Sequence, residues 1–133
     1  MGGYTIAATV DRPYEETVEA VRSALADEGF GLLTEINLRA TLRKKLDVDV
    51  APQVILGACR PQLAYEALQL DPSIATVLPC NVVVRALDDR TTVVEVFDPA
   101  AMMGLSGGDG LDSVAMDARA RINAMLAALT EEN

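Results

Sequence analysis

Leu78-Pro79-Cys80-Asn81-Val82-Val83-Val84-Arg85-Ala86-Leu87-Asp88-Asp89-Arg90-Thr91-Thr92-Val93-Val94-Glu95-Val96-Phe97 is the stretch that decides the fold. Two apolar, valine-rich runs, Leu78–Leu87 and Thr91–Phe97, are separated only by Asp88-Asp89-Arg90. A polar link that short joins neighbouring strands as a hairpin, since parallel strands need a crossover of a dozen or more residues. The sheet containing these runs is therefore expected to be largely antiparallel, which points to an α+β domain rather than a doubly wound parallel one.

Working outward, Gln53 to Cys59 reads as a strand, and Pro61 opens a helix through Leu63, Ala67 and Leu70 that Asp71-Pro72 closes. Further upstream, Tyr4, Ile6, Ala8 and Val10 alternate on one face of a half-buried strand. Pro13 is expected near the first position of a helix, with Glu15 and Glu16 in its first turn; Val18, Val21 and Leu25 form the apolar stripe and Gly29 ends it. Phe30 to Ile36 is a second strand. Asn37 is placed to cap a short helix carrying Leu38, Leu42 and Leu46 at four-residue spacing. Downstream of the hairpin, a long helix carries Leu111, Val114, Ala118, Ile122, Met125 and Leu129 on one side. The order is β-α-β-α-β-α-β-β-α, in one domain over residues 1–133.

Composition narrows the function. The chain has 133 residues, the size of one domain. Eleven basic residues stand against twenty acidic ones, a net charge of −9, which argues against nucleic acid as a partner because phosphate neutralisation needs a basic face. There is no histidine. That removes imidazole bases, Ser–His and Cys–His pairs and His-ligated metals. No run approaches the roughly 18 apolar residues of a membrane span, and Met1 to Ile6 lacks the basic start of a secretory signal. Two cysteines do not make a disulfide framework. The expectation is a cytoplasmic protein with reduced thiols, no membrane partner, no metal site and no cofactor.

Three groups of side chains are candidates for chemistry. Cys59 precedes Arg60 and the helix-opening Pro61, a setting that favours thiolate and is expected to lower its pKa. Cys80 opens its strand, and the two sulfurs approach one another only if these strands are antiparallel neighbours. Against a functional role stands the ordinary use of cysteine as a small buried hydrophobe. The second group is basic: Arg39, Arg43, Lys44 and Lys45 fall within seven residues, and Arg60 is a further cation. These suit a phosphate, a carboxylate or an acidic partner, or else they are a solvated face offsetting the helix dipole. The third is polar: Glu35, Asn81, Glu95 and Asp98. Glu95 alternates with Val93 and Phe97, so an apolar face and a raised pKa are expected. The glycine-rich loop Gly104 to Gly110 fails as a phosphate loop for want of Gly-Lys-Ser/Thr. Met102 and Met103 read as core filler.

Several segments together resemble a known family. Gly29-Phe30-Gly31-Leu32-Leu33-Thr34-Glu35-Ile36, Ala40-Thr41-Leu42-Arg43-Lys44-Lys45-Leu46, Ile55-Leu56-Gly57-Ala58-Cys59-Arg60-Pro61 and Leu78-Pro79-Cys80-Asn81-Val82-Val83-Val84 closely resemble the "domain of unknown function 302" family. Asp98-Pro99 followed by Met102 fits as well, and the match runs from about Tyr4 to Leu129. The resemblance implies a small α+β domain related in shape to TATA-binding-protein-like folds and tending to form homodimers. It implies no settled activity.

The leading expectation is a non-catalytic binding or interaction module acting as a homodimer, with a small-molecule ligand conceivable. The alternative is a thiol-dependent redox, metal- or haem-binding protein using Cys59 and Cys80; a third is an acid–base enzyme using Glu35, Glu95 or Asp98. Consecutive Val82-Val83-Val84, Val93-Val94 and Ile55-Leu56 put apolar groups on both sheet faces. Helices cover one. The other is expected to meet a second copy, unless the Leu38–Leu46 and Leu63–Leu70 helices cover it within the chain.

Overall fold

Short-range signals place the elements. In the computed structural model, which describes residues 3–101 and 110–131, the strands are β1 (Thr5–Val10), β2 (Gly31–Asn37), β3 (Gln53–Cys59), β4 (Cys80–Ala86) and β5 (Thr92–Phe97). The helices are α1 (Tyr14–Asp27), α2 (Leu38–Leu46), α3 (Pro61–Leu70) and the long C-terminal α4 (Leu111–Glu131). Met102, Met103 and most of the glycine-rich loop lie outside the described residues. Pro13 sits one position earlier than expected, at the N-cap of α1. That helix ends as a left-handed glycine should end it: Gly29 has φ +85°. There the Phe30 N–H reaches the Leu25 carbonyl and the Gly29 N–H reaches Ala26, a Schellman pair. Asn37 caps α2, its side-chain oxygen accepting from the Ala40 N–H at 2.9 Å. The sequence missed one element, a 3-10 turn over Pro72–Val77, where Asp71-Pro72 ends α3 without opening the chain into a loop.

All pairings are antiparallel and the sheet order is β1-β5-β4-β3-β2. The α+β fold read from the hairpin is the observed one. One face packs on α1 and α4, and the alternation of side chains sorts the valines accordingly. Val54, Leu56 and Ala58 of β3, Val82 and Val84 of β4, and Val94 and Val96 of β5 join Val21, Leu25, Ile122 and Met125 in one buried cluster. A second, smaller cluster joins Leu63 and Ala67 of α3 to Ile74, Leu111, Val114 and Ala115. At β3, Gly57 allows a close approach, since a Cβ there would stand 2.8 Å from Pro79 and strike Thr34.

The other end of the sheet differs. No residue of β2 or α2 is buried. A β-bulge between Leu32 and Thr34 shifts the register of this edge strand. On α2, Leu38 and Leu42 are half-buried while Leu46 is 66% exposed. The helix touches β2 and β3 but contributes to neither buried cluster. Helix α3 packs on α4 instead of the second sheet face. Ile36, Ile55 and Val83, which point to that second face, likewise join neither cluster.

Candidate functional site

The two cysteines come together because β3 and β4 are antiparallel neighbours. Cys80 pairs with Ala58, the residue before Cys59. Both line one cavity of about 50 Å³ with Arg60 between the strand ends, α3 and α4. Its wall is otherwise hydrocarbon: Phe30 and Ala58 from the first cluster, Leu63, Ala67 and Val114 from the second, and Leu78. The cavity is the seam where the two clusters meet.

The expected thiolate character does not follow. Burial pushes the Cys59 thiol up, not down, and pushes Cys80 up to about 11, the proximity of Cys59 adding to the effect. The cost of putting a thiolate into an apolar wall outweighs the neighbouring cation and helix terminus. As free thiols, both are protonated at neutral pH.

Arg60, the further cation of the basic group, lies apart from the basic helix. Arg60 follows the end of β3 while α2 precedes its start, so the seven-residue strand, about 20 Å long, stands between them. On α2, Arg43 is ion-paired to Asp47 and Asp49 beyond the helix end. Lys44 and Lys45 lie with it in the last turn, where cations offset the dipole. Arg60 is different. Its Nε is buried with no hydrogen-bond partner, and its chain lies across Gly29, where a Cβ would come within 3.0 Å of Nε.

The four polar candidates do not form one site. Glu35 sits at the edge of the helix-covered face and accepts from Arg22 Nη2 of α1 at 2.7 Å. Glu95 points to the second face, as its alternation with Val93 predicted, but its pKa moves opposite to expectation. Thr5 Oγ1 donates to one carboxylate oxygen at 2.8 Å and Arg85 Nη2 to the other at 3.3 Å, and these bonds hold its carboxyl below the usual range. Asn81 is exposed. Asp98 ends β5, accepts from the Ala100 N–H at 2.9 Å and pairs with Arg119 of α4 at 3.4 Å. Partners from four different elements, α1, β1, β4 and α4, therefore engage these carboxylates, and no two face each other across a cleft. Sequence reading missed Thr5, Arg22 and Arg85; opposite charges on neighbouring strands were the available signal for Arg85. No cluster of three or more His, Cys, Asp or Glu residues suited to a metal ion occurs among the described residues. No helix among them is long and apolar enough to cross a membrane.

An antiparallel five-stranded sheet, backed on one face by two helices and holding a small apolar cavity at its edge, defines a small α+β domain. The family model "Domain of unknown function DUF302" matches residues 6–129, and the chain belongs to this family. It is similar to a solved structure described as an uncharacterized conserved protein DUF302 from Bacillus stearothermophilus. The two share 29% identity at a TM-score of 0.87, over 96% of this chain and 99% of that one. No curated protein matches.

Proposed function

We propose that this chain is a non-catalytic interaction module of the cytoplasm that works as a homodimer, joined through β2, α2 and the adjoining sheet face. The observation that carries the reading is where apolar surface is left over. Six of the eleven exposed large hydrophobic residues among those described, Leu32, Leu33, Ile36, Leu46, Val48 and Val50, fall within nineteen residues. Exposed apolar side chains concentrated on one segment support an interaction surface there. An edge strand with unpaired backbone groups adds a ready template for pairing.

A second copy is the partner this reading names. Residues 38–50 hold four cations and two carboxylates, whereas the whole chain carries −9. Contact here keeps the acidic remainder of the two chains apart, Arg43 is already paired to Asp47 and Asp49, and physiological salt screens what charge is left. The homodimers implied by the family resemblance agree. Raised thiol pKa values and carboxylates engaged in ion pairs support a role other than catalysis.

The test is the double variant L33D/I36D. Both positions are exposed in the single chain, so the variant is expected to keep its far-ultraviolet circular dichroism while its sedimentation coefficient falls to that of a monomer. A variant that sediments as a dimer would remove this surface from the reading.

A further inference from the structure

We propose that the cavity between the β3 and β4 ends, α3 and α4 is a binding site for a small monocarboxylate. Its carboxylate would sit on Arg60 and its short hydrocarbon tail among Leu63, Ala67 and Val114. Two independent features point to the two halves of that ligand.

The wall supplies the first. With volume of about 50 Å³, the cavity holds several times the space one water needs. Apart from Arg60 and the two thiols, its lining is hydrocarbon, with Pro99 and Ala118 completing it. Water gains little in such a place, and a tail of a few carbons gains dispersion contacts and leaves solvent.

Arg60 supplies the second. Its Nε is covered where the side chain lies on Gly29, so the uncovered Nη groups are the donors that can meet a ligand at the cavity. Among the described residues no carboxylate pairs with Arg60, in a chain with twenty acidic groups. An external anion would supply the partner that the chain does not. Arg60 is also the N-cap of the ten-residue α3 and gives its first turn no side-chain bond, which leaves the donors of that turn without a side-chain partner. One guanidinium in an apolar seam suits a single negative charge; a phosphate dianion would bring more charge than the site offsets. Both thiols stay protonated and serve as weak donors at the rim, so binding forms no covalent bond.

The site lies on the helix-covered side of the sheet, beside Gly31 at the start of β2, which pairs with Cys59, and its ligand is read separately from association of two chains. Amide-detected NMR titration with acetate, butyrate and hexanoate tests it, with butyramide and inorganic phosphate as controls. Saturable shifts at Cys59, Ala64 and Cys80 are expected for butyrate, with dissociation constants that fall from acetate to butyrate. Butyramide and phosphate should bind at least about tenfold more weakly. R60M should weaken butyrate by a similar factor and R60K by less, each with unchanged dispersion elsewhere. If R60M fails to fold, A64L, which fills the mouth of the cavity, should abolish the shifts, and butyrate should slow alkylation of Cys59 in the native chain. Equal affinity for butyrate and butyramide, no saturable shift with any acid, or butyrate affinity unchanged in R60M would overturn the proposal.

Discussion

The two ends of the sheet carry aliphatic side chains to different effect. At β5, β4 and β3, valines on the covered face interdigitate with α1 and α4, and Leu56, Val82, Val84, Val94 and Val96 lose all contact with solvent. At β2 and α2, leucine and isoleucine are as frequent, yet nothing there is buried. Periodicity sets which side of an element is apolar; only the packing of a second element decides whether that side is covered. The covered half is built to hold the fold, and the uncovered half is left for another surface.

The largest effect that would sharpen this contrast is a truncation on each side. Leu56→Ala, at a position with no exposure, is expected to cost about 2–5 kcal/mol by chemical denaturation because a cavity remains where the side chain was. Leu33→Ala, at 64% exposure, should change the stability of the dissociated chain by no more than about 0.5 kcal/mol. Equal losses at the two positions would erase the distinction.

A smaller effect belongs to the covered half alone. The Cys80 thiol has its pKa raised from 9.0 to about 11 by burial. The folded chain thus keeps its proton where the unfolded chain loses it. The stability linked to this group is complete below pH 9 and is lost as pH rises toward 11, a change on the order of 2 kcal/mol. Cys80→Ala should flatten stability over that interval. A wild-type stability independent of pH between 9 and 11 would show that Cys80 is not desolvated.

The smallest effect lies on the second face. Glu95 has its pKa lowered, first by the hydrogen bond from Thr5 and then by Arg85. Its contribution to stability is present above the ordinary carboxylate pKa and is lost as pH falls through the lower folded value. Glu95→Gln should reduce the acid sensitivity of unfolding slightly without changing the midpoint at alkaline pH. An unchanged acid limb would mean that the carboxylate gains nothing from its partners.

Much of the fold was legible in the sequence because its signals are local. Asp88-Asp89-Arg90 between two valine runs specified the hairpin, Asn37 the α2 cap, Pro61 the α3 start, and Leu111, Val114, Ile122, Met125 and Leu129 the buried side of α4. Less of the site was legible, since it depends on what approaches from elsewhere in the chain. Cys59 next to Arg60 read as an activated thiol, but the desolvation that raises its pKa comes from α3 and α4. Glu95 was placed on the correct face, yet its partners Thr5 and Arg85 lie on β1 and β4. The Leu38–Leu46 stripe was visible as a stripe; that no helix or sheet buries it was not.

The central claim is that the uncovered half meets a second copy of itself. Light scattering coupled to size exclusion, on the native chain at low micromolar concentration and physiological salt, tests this most directly. The account predicts a mass of twice the 14.1 kDa chain. A mass of one chain, 14.1 kDa, at every concentration examined would contradict it.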